Sequence, residues 1–409
     1  MHKAMIDELT AAGTLSNPAV EAAFRRVPRH VFLPSEPSEE VYRDQAIVTK
    51  QVDGIGVSSS SQPTIMAVML EQLDVRPGHR VLEIGAGTGY NAALLADLVG
   101  HTGRVTTVDI DAEIVDNAQE HLNAAGFERV QVVCVDGGLG HLAGAPYDWI
   151  ILTVGAWDIT PSWWEQLSVD GRLVLPLALR GPETQRSIGF DRRDDHLVSA
   201  SVRPCGFMLL RGAFSGPIQQ VPLGPAPDLR LVHEHTGRVD AASVFKWLRK
   251  PCATRKTGVR ANSLAVCGGL NLWLALSDSR FCAVRAEGSD VESRFEPTLY
   301  GHGRFRTTVG LVGDRGVSLL SRAQDAPSVT DADEWTTASP PFELEVRSFG
   351  DDARVGEDLL KLVRAWDASG APNEDNLQVR VYPRNVQVVP AQAERVISKR
   401  WTQLVLTWT

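Results

Sequence analysis

The sequence predicts an α/β fold: a mostly parallel sheet covered by helices through the first half of the chain, then an α+β domain. Three observations carry this reading. Short apolar runs rich in β-branched residues alternate with segments of helical period from about residue 64 to residue 210. The first of these runs ends in a glycine-rich turn, Gly85-Ala86-Gly87-Thr88-Gly89, that leads into a helix. Composition then changes at Ser215–Asp228, where Pro217, Pro222, Pro225 and Pro227 interrupt any regular element. The organisation that follows is a domain over 1–215, a linker over 216–230 and an accessory domain over 231–409.

The first 33 residues read as helical, with Asn17-Pro18 supplying a capping side chain and a proline for the first turn. Thr64–Leu73 is a helix with Ile65, Val68, Met69 and Gln72 at helical spacing. Arg80–Ile84 is a buried strand, and Ala92–Val99 is the helix after the turn. Arg104–Val108, Val130–Cys134, Trp149–Thr153 and Arg172–Pro176 are further strands, with helices over Glu113–Ala125 and Pro161–Leu167. Beyond the linker, Ser263–Cys267, Leu272–Leu276, Phe281–Arg285, Thr307–Leu311, Phe342–Val346, Val379–Tyr382 and Leu404–Thr407 read as strands. Gly356–Trp366 reads as a helix, and Ala323–Thr337 as a polar loop.

A length of 409 residues suits two or three domains, and 43% hydrophobic with 22% charged residues is the balance of a globular protein. The formal net charge of −9 argues against a nucleic-acid partner, which would demand a basic face. Cys134, Cys205, Cys252, Cys267 and Cys282 are scattered, with no CxxC pair, as in a reduced compartment. The polar start Met1-His2-Lys3-Ala4 lacks the apolar core of a signal peptide, and the apolar stretch Trp149–Trp157 is too short to span a bilayer. These features predict a cytoplasmic enzyme without a metal or a membrane partner.

The glycine-rich turn narrows the chemistry. Glu83-x-Gly85-x-Gly87-x-Gly89 lacks the G-x-G-x-x-G spacing of a dinucleotide site. It suits a sulfonium nucleoside, S-adenosylmethionine, which has no pyrophosphate to cradle but carries an ammonium that Glu83 could accept directly or through water. Gly85, Ala86, Gly87 and Gly89 let the backbone turn and the ligand approach closely. Asp109, with Ile110 after it, closes the second strand, where a carboxylate can accept both ribose hydroxyls. Asp136-Gly137 follows the third strand, where adenine would lie. Each acid alone is an ordinary strand-end carboxylate; the set at this spacing is a cofactor site.

The run Val27-Pro28-Arg29-His30-Val31-Phe32-Leu33-Pro34, then Tyr42-x-Asp44, Ser61-Gln62-Pro63, the cofactor turn, Tyr147-Asp148-Trp149-Ile150 and Gly171-Arg172-Leu173-Val174-Leu175-Pro176 together resemble the protein-L-isoaspartate O-methyltransferase family over residues 1–212. The resemblance implies a Rossmann-like class I methyltransferase that esterifies a peptide carboxylate. It makes Ser61 the substrate-orienting hydroxyl, a role that competes with simple capping of the helix begun by Pro63. The departures are the Val57-Ser58-Ser59-Ser60 loop, the pair Trp157-Asp158, Trp163-Trp164, and a C-terminal extension that the repair enzyme is expected to lack. They resemble a branch of the family associated with gene clusters for lanthipeptides and graspetides. That likeness implies a macrocyclised precursor peptide as partner, an ordinary aspartate as acceptor, and aspartimide or isoaspartate as outcome. Ser58, Ser59, Ser60 and Trp157 then become candidate substrate contacts, although tryptophans there are more often packing residues.

Nothing beyond residue 230 reads as catalytic. His233 and His235 alternate as on a strand, but no third metal ligand accompanies them. Phe245-Lys246-Trp247-Leu248-Arg249-Lys250 is a basic aromatic cluster that could receive an acidic peptide or form an ordinary helix face. The expectation is that this domain selects substrate and that residues 1–215 alone would still bind cofactor. Two other readings stand beside peptide maturation: a general isoaspartyl repair methyltransferase, and an inactive peptide-binding protein on the same fold.

Overall fold

The structure is a computed structural model that describes the chain except residues 53–54, 226–227, 235–239, 250–251, 289–297, 303–304, 324–338 and 393. The chain divides into two compact units. The first holds Met1–Leu177, Gln185–Gly216 and Gln378–Thr407; the second holds Ala178–Thr184, Pro217–Leu377 and Trp408–Thr409.

The first unit opens with α1 (His2–Ala11), α2 (Pro18–Arg26), a 3-10 turn over Arg29–Phe32 and the short α3 (Ser38–Val41). The Asn17 side chain caps α2 by accepting from the Ala19 amide, with Pro18 in the first turn, as the sequence predicts. A hairpin of β1 (Ile47–Val52) and β2 (Ile55–Ser60) precedes α4 (Pro63–Leu73). Then come β3 (Arg80–Ile84), α5 (Tyr90–Val99), β4 (Arg104–Asp109), α6 (Ala112–Ala124), β5 (Gln131–Cys134), β6 (Tyr147–Leu152), α7 (Pro161–Gln166), β7 (Leu167–Ala178), β8 (Gln185–Arg192) and β9 (Leu197–Pro204).

Strands β5-β4-β3-β6-β7 lie side by side in that order, and their pairings are parallel. The chain winds outward from β3 to β5, then crosses back over β3 to β6. That reversal leaves a crevice at the carboxyl ends of β3 and β6, where such sheets bind ligands. Val81, Leu82, Glu83 and Ile84 are all buried, which is why β3 reads as continuous rather than alternating. One core joins Phe24 and Phe32 from the N-terminal helices to Leu94 and Leu95 of α5 and Ile151 of β6.

The second unit is an eight-stranded sheet: β10 (Gln219–Pro222), β11 (Leu229–His233), β12 (Ala253–Ala261), β13 (Phe281–Glu287), β14 (Tyr300–His302), β15 (Phe305–Gly313), β16 (Gly316–Arg322) and β17 (Phe342–Gly350). Its strand order is β10-β11-β13-β15-β16-β17-β12, with β14 beside β15 and antiparallel pairings. Helices α8 (Ala241–Leu248), α9 (Ser263–Ala265), α10 (Asn271–Ser277) and α11 (Ala353–Ala368) accompany it. On α11, Leu359, Val363 and Trp366 are buried at the helical spacing read in the sequence, Leu360 of that set is half-buried, and Val355, before the predicted start, joins the buried face.

Three expectations are corrected here. Ser263–Cys267 and Leu272–Leu276 are helical, with a π-helical turn at Val266–Leu270 between them. Their apolar run is continuous, so period alone does not separate strand from buried helix, and the Asn262 side chain caps the start by accepting from the Ala265 amide. The expected linker contains β10. The third correction is the boundary at 231–409. Residues 378–407 return to the first unit as β18 (Leu377–Pro383), β19 (Arg395–Ser398) and β20 (Thr402–Trp408). β18 pairs antiparallel with β9, and the sheet becomes ten-stranded, β19-β20-β18-β9-β8-β7-β6-β3-β4-β5. An open β9 edge needs a partner, and alternation in a strand does not say which edge it will cover.

His233 is buried on β11, whereas His235 lies outside the described residues; among the described residues no cluster of three metal-ligating side chains occurs. Phe245 and Trp247 of α8 pack on the second unit's core, while Lys250 is outside the described residues, as is most of the polar loop read at 323–337. Among the described residues no helix is long and apolar enough to cross a membrane.

Candidate functional site

The turn after β3 is built by glycines with positive φ: Gly85 at 103°, Gly87 at 52° and Gly89 at 85°. A Cβ on Gly85 would stand 2.6 Å from the Thr153 hydroxyl, so only glycine lets the turn lie against the end of β6. The amides of Gly85 and Ala86 both donate to the Val108 carbonyl, at 2.8 and 3.1 Å, which fastens the turn to β4.

Glu83 is wholly buried beneath this turn. Its carboxylate accepts from Asn91 Nδ2 at 2.7 Å and Thr107 Oγ1 at 2.6 Å. Burial outweighs both bonds and pushes its pKa up to about 7. Asp109 accepts from the amides of Asp111 at 3.2 Å and Gly87 at 3.4 Å; burial holds its pKa above the usual carboxylate range. Over these groups opens a cavity of about 530 Å³, within the range of small-ligand sites.

Glu83, Gly85, Ala86, Gly87, Asp109, Ile110 and Gly137 line it, together with Ser58, Ser59, Ser60 and Ser61. Three other expected residues do not. Gly89 instead starts α5, where a Cβ would press on Ala118 and Leu122 of α6. Asp136 spends its oxygens on the amides of Gly138 at 3.0 Å and Ala213 at 3.1 Å, so it shapes the turn carrying Gly137. Trp157 is half-buried outside the cavity; its carbonyl accepts from Lys399 Nζ at 2.6 Å, and the ammonium sits 4.7 Å from its ring centroid.

The serine loop splits by strand alternation. Ser58 Oγ accepts from Thr49 Oγ1 at 3.1 Å, and Ser60 Oγ accepts from Arg29 Nη2 at 3.2 Å. Among the described residues, the hydroxyls of Ser59 and Ser61 have no hydrogen-bond partner. The capping role open to Ser61 is not realised, because Asp44 takes it: its carboxylate accepts from the Thr64 amide at 2.8 Å, the Thr64 hydroxyl at 2.7 Å and Gln62 Nε2 at 2.9 Å.

Arg29 was hidden in the sequence. Its guanidinium is completely buried and donates to the carbonyls of Val41 at 2.8 Å and Ser61 at 2.9 Å, so it ties the loop before the cavity to the segment around residue 41. Burial lowers its pKa from the usual arginine value. A lone arginine gives no sequence sign of such burial. The wall at 205–211 was also missed. It runs beside Gly155, whose amide donates to Met208 and whose carbonyl accepts from Leu210, each at 2.8 Å.

These residues fit S-adenosylmethionine. A buried carboxylate at the foot of the glycine turn could meet the ammonium, Asp109 at its strand end could meet a ribose diol, and the approach to Gly85 admits no side chain. The profile of the protein-L-isoaspartate(D-aspartate) O-methyltransferase family matches residues 1–213. The protein-L-isoaspartate O-methyltransferase of Methanopyrus kandleri is 40% identical over 177 residues, which is 43% of this chain and 76% of that one. Protein-L-isoaspartate O-methyltransferase 1 of Archaeoglobus fulgidus is 38% identical over 209 residues, 51% of this chain and 90% of its own. A solved protein-L-isoaspartate O-methyltransferase superposes with a TM-score of 0.51 and 25% identity over 93% of this chain and 96% of its own. That last match corrects the expectation that an isoaspartyl enzyme lacks a counterpart to the C-terminal extension. The family's methyl donor is S-adenosylmethionine, and the reading as an inactive binding protein falls with it. The chain belongs to the protein-L-isoaspartate(D-aspartate) O-methyltransferase family and is an S-adenosylmethionine-dependent carboxyl O-methyltransferase.

Proposed function

We propose that this protein methylates the free carboxylate of isoaspartyl residues in peptides and proteins, with Ser61 holding the acceptor. The observation that carries the assignment is the Ser61 hydroxyl, which lines the cofactor cavity without a partner among the described residues while Arg29 fixes its carbonyl. S-adenosylmethionine supplies the methyl group as an electrophile. A carboxylate is ionised at neutral pH, so the chain needs no general base. Its task is to align one acceptor oxygen and shield it from water. The Ser61 hydroxyl donates to one oxygen and leaves the other aimed at the methyl carbon. That oxygen forms the new C–O bond as the C–S bond breaks, and the thioether leaves with the bonding pair.

The narrower reading, an ordinary aspartate in a macrocyclic ribosomal peptide, draws its support from the serine-rich loop and the other departures from the family pattern. The relatives described above carry the isoaspartyl name. The deciding experiment offers an isoaspartyl peptide, its aspartyl isomer and a cyclised aspartyl peptide, and follows methyl gain by mass. Methylation of the isoaspartyl form only supports the proposal; methylation confined to a cyclised aspartyl peptide would replace it. Ser61→Ala should lower kcat/KM about 10- to 100-fold, the worth of one hydrogen bond to a charged group, with cofactor affinity unchanged. An unchanged rate removes the role given to that hydroxyl.

A further inference from the structure

The wall carrying Gly137 is a single 3-10 turn, Gly137–Leu139, after β5. Three successive carbonyls of this turn are held by side chains at one short helix. Trp163 Nε1 donates to Gly137 at 2.8 Å, Thr160 Oγ1 to Gly138 at 2.9 Å, and Gln166 Nε2 to Leu139 at 2.8 Å. Gln166 Oε1 also accepts from the His141 amide at 2.8 Å. Trp163, Thr160 and Gln166 are all buried, and the bonds to Gly137 and Gly138 are shielded from water. Phe214 leans on the other side of the turn, so close that a Cβ on Gly138 would lie 2.1 Å from its ring. The turn is thus shaped from outside, by α7 and Phe214.

Six residues make a poor helix by themselves, so α7 needs an external anchor. The anchor is the turn 399–402 between β19 and β20, within the same unit. Asp158, buried just ahead of α7, accepts from the Trp401 amide at 2.7 Å and from the Thr402 hydroxyl. Lys399 holds the Trp157 carbonyl, and the Trp401 ring lies 5.4 Å from that of Phe214. Each contact therefore bears on one of the two supports of the Gly137 turn.

We propose that the turn at 399–402 is a positioning element for the nucleoside end of the methyl donor, acting through Asp158, α7 and Phe214 on the Gly137 turn. It sets donor affinity and leaves the acceptor site alone. The proposal rests on assigning the Ile110–Gly137 end of the cavity to the nucleoside. Thr402 and Lys399 are positioning residues, since neither lines the cavity.

The test compares Thr402→Val, which removes the hydroxyl at nearly constant volume, with Thr402→Ser, which keeps it. Binding of S-adenosylhomocysteine and of adenosine is measured by calorimetry, and the acceptor KM at saturating donor. Thr402→Val should bind both nucleosides about tenfold more weakly, a fraction of the value of a hydrogen bond to a buried charge, with acceptor KM unchanged. Thr402→Ser should restore the affinity. Lys399→Met, which keeps the aliphatic stem, should move the same way and serves if Thr402→Val does not fold. Calorimetry needs no acceptor, so an error about the acceptor's identity leaves this arm intact. Unchanged S-adenosylhomocysteine affinity in either folded variant overturns the proposal. So does weaker S-adenosylhomocysteine binding with unchanged adenosine binding, which would move the effect to the amino-acid end.

Discussion

Replacing Glu83 with glutamine should remove a pH dependence of stability that the wild-type site builds in. The Glu83 carboxyl has an ordinary value of 4.5 when solvated and about 7 in the folded chain, because it is wholly buried. The folded state therefore holds its proton more tightly than the unfolded state. Between those values folding takes up a proton, so the contribution is intact at low pH and is lost as pH rises towards 7. Carried from pH 5 to pH 8, a shift of this size removes about 2.5 kcal/mol from the unit without cofactor. Glutamine has nearly the same shape, cannot ionise, and keeps hydrogen-bonding capacity towards Asn91 and Thr107. The assay is amide hydrogen exchange of β3 and β4 at the two pH values, corrected for intrinsic exchange. It reads the opening of the first unit whatever the second does. The wild type should lose about 2.5 kcal/mol more protection than Glu83→Gln. Equal losses in the two proteins would refute the reasoning. An ammonium from the donor would favour ionised Glu83, so donor affinity should also rise with pH through about 7 in the wild type and stay flatter in the variant.

Two other outcomes follow from the same geometry. Arg29→Leu strands the buried carbonyl of Val41 and the half-buried carbonyl of Ser61, at about 1–3 kcal/mol each, so thermal denaturation should report a loss of about 2–6 kcal/mol; a loss below about 1 kcal/mol would mean water replaces the guanidinium. Gly85→Ala places a Cβ against Thr153 at a φ of 103°, and calorimetry should find donor binding abolished in a chain that still shows its sheet by circular dichroism. Donor binding retained by Gly85→Ala would show that the turn relaxes.

The parallel half of the first sheet was legible because its central strand, β3, is an unbroken buried run and each glycine of the turn after it stands where its backbone needs it. Glu83 and Asp109 were legible as cavity-lining residues because they stand at strand ends beside the switch point, at a fixed spacing from the glycine turn. What the sequence hid were groups defined by distant partners. Arg29 looks like any arginine until the Val41 and Ser61 carbonyls converge on it. Ser58, Ser59 and Ser60 look equivalent until Thr49 takes Ser58 and Arg29 takes Ser60. Trp157 was a candidate substrate contact as a departure from the family pattern, beside a packing reading, and Lys399, 242 residues away, holds it outside the cavity. The helices at 263–277 were misread because an unbroken apolar run has no period to follow.

The return of residues 378–407 to the sheet of the first unit has a consequence for biosynthesis. Domains generally fold in order as the ribosome delivers them, yet the sheet carrying the donor site is still missing strands when residue 216 emerges. About 160 further residues must be made first, roughly 10–30 s of translation at ordinary rates. Throughout that interval β9 is an uncovered edge, open to mispairing. The 399–402 turn arrives later still, so a nascent chain meets the donor before the Gly137 turn has its anchor. Full donor affinity is thereby tied to synthesis of the intervening unit, and a chain interrupted within it is left without the strands that cover β9.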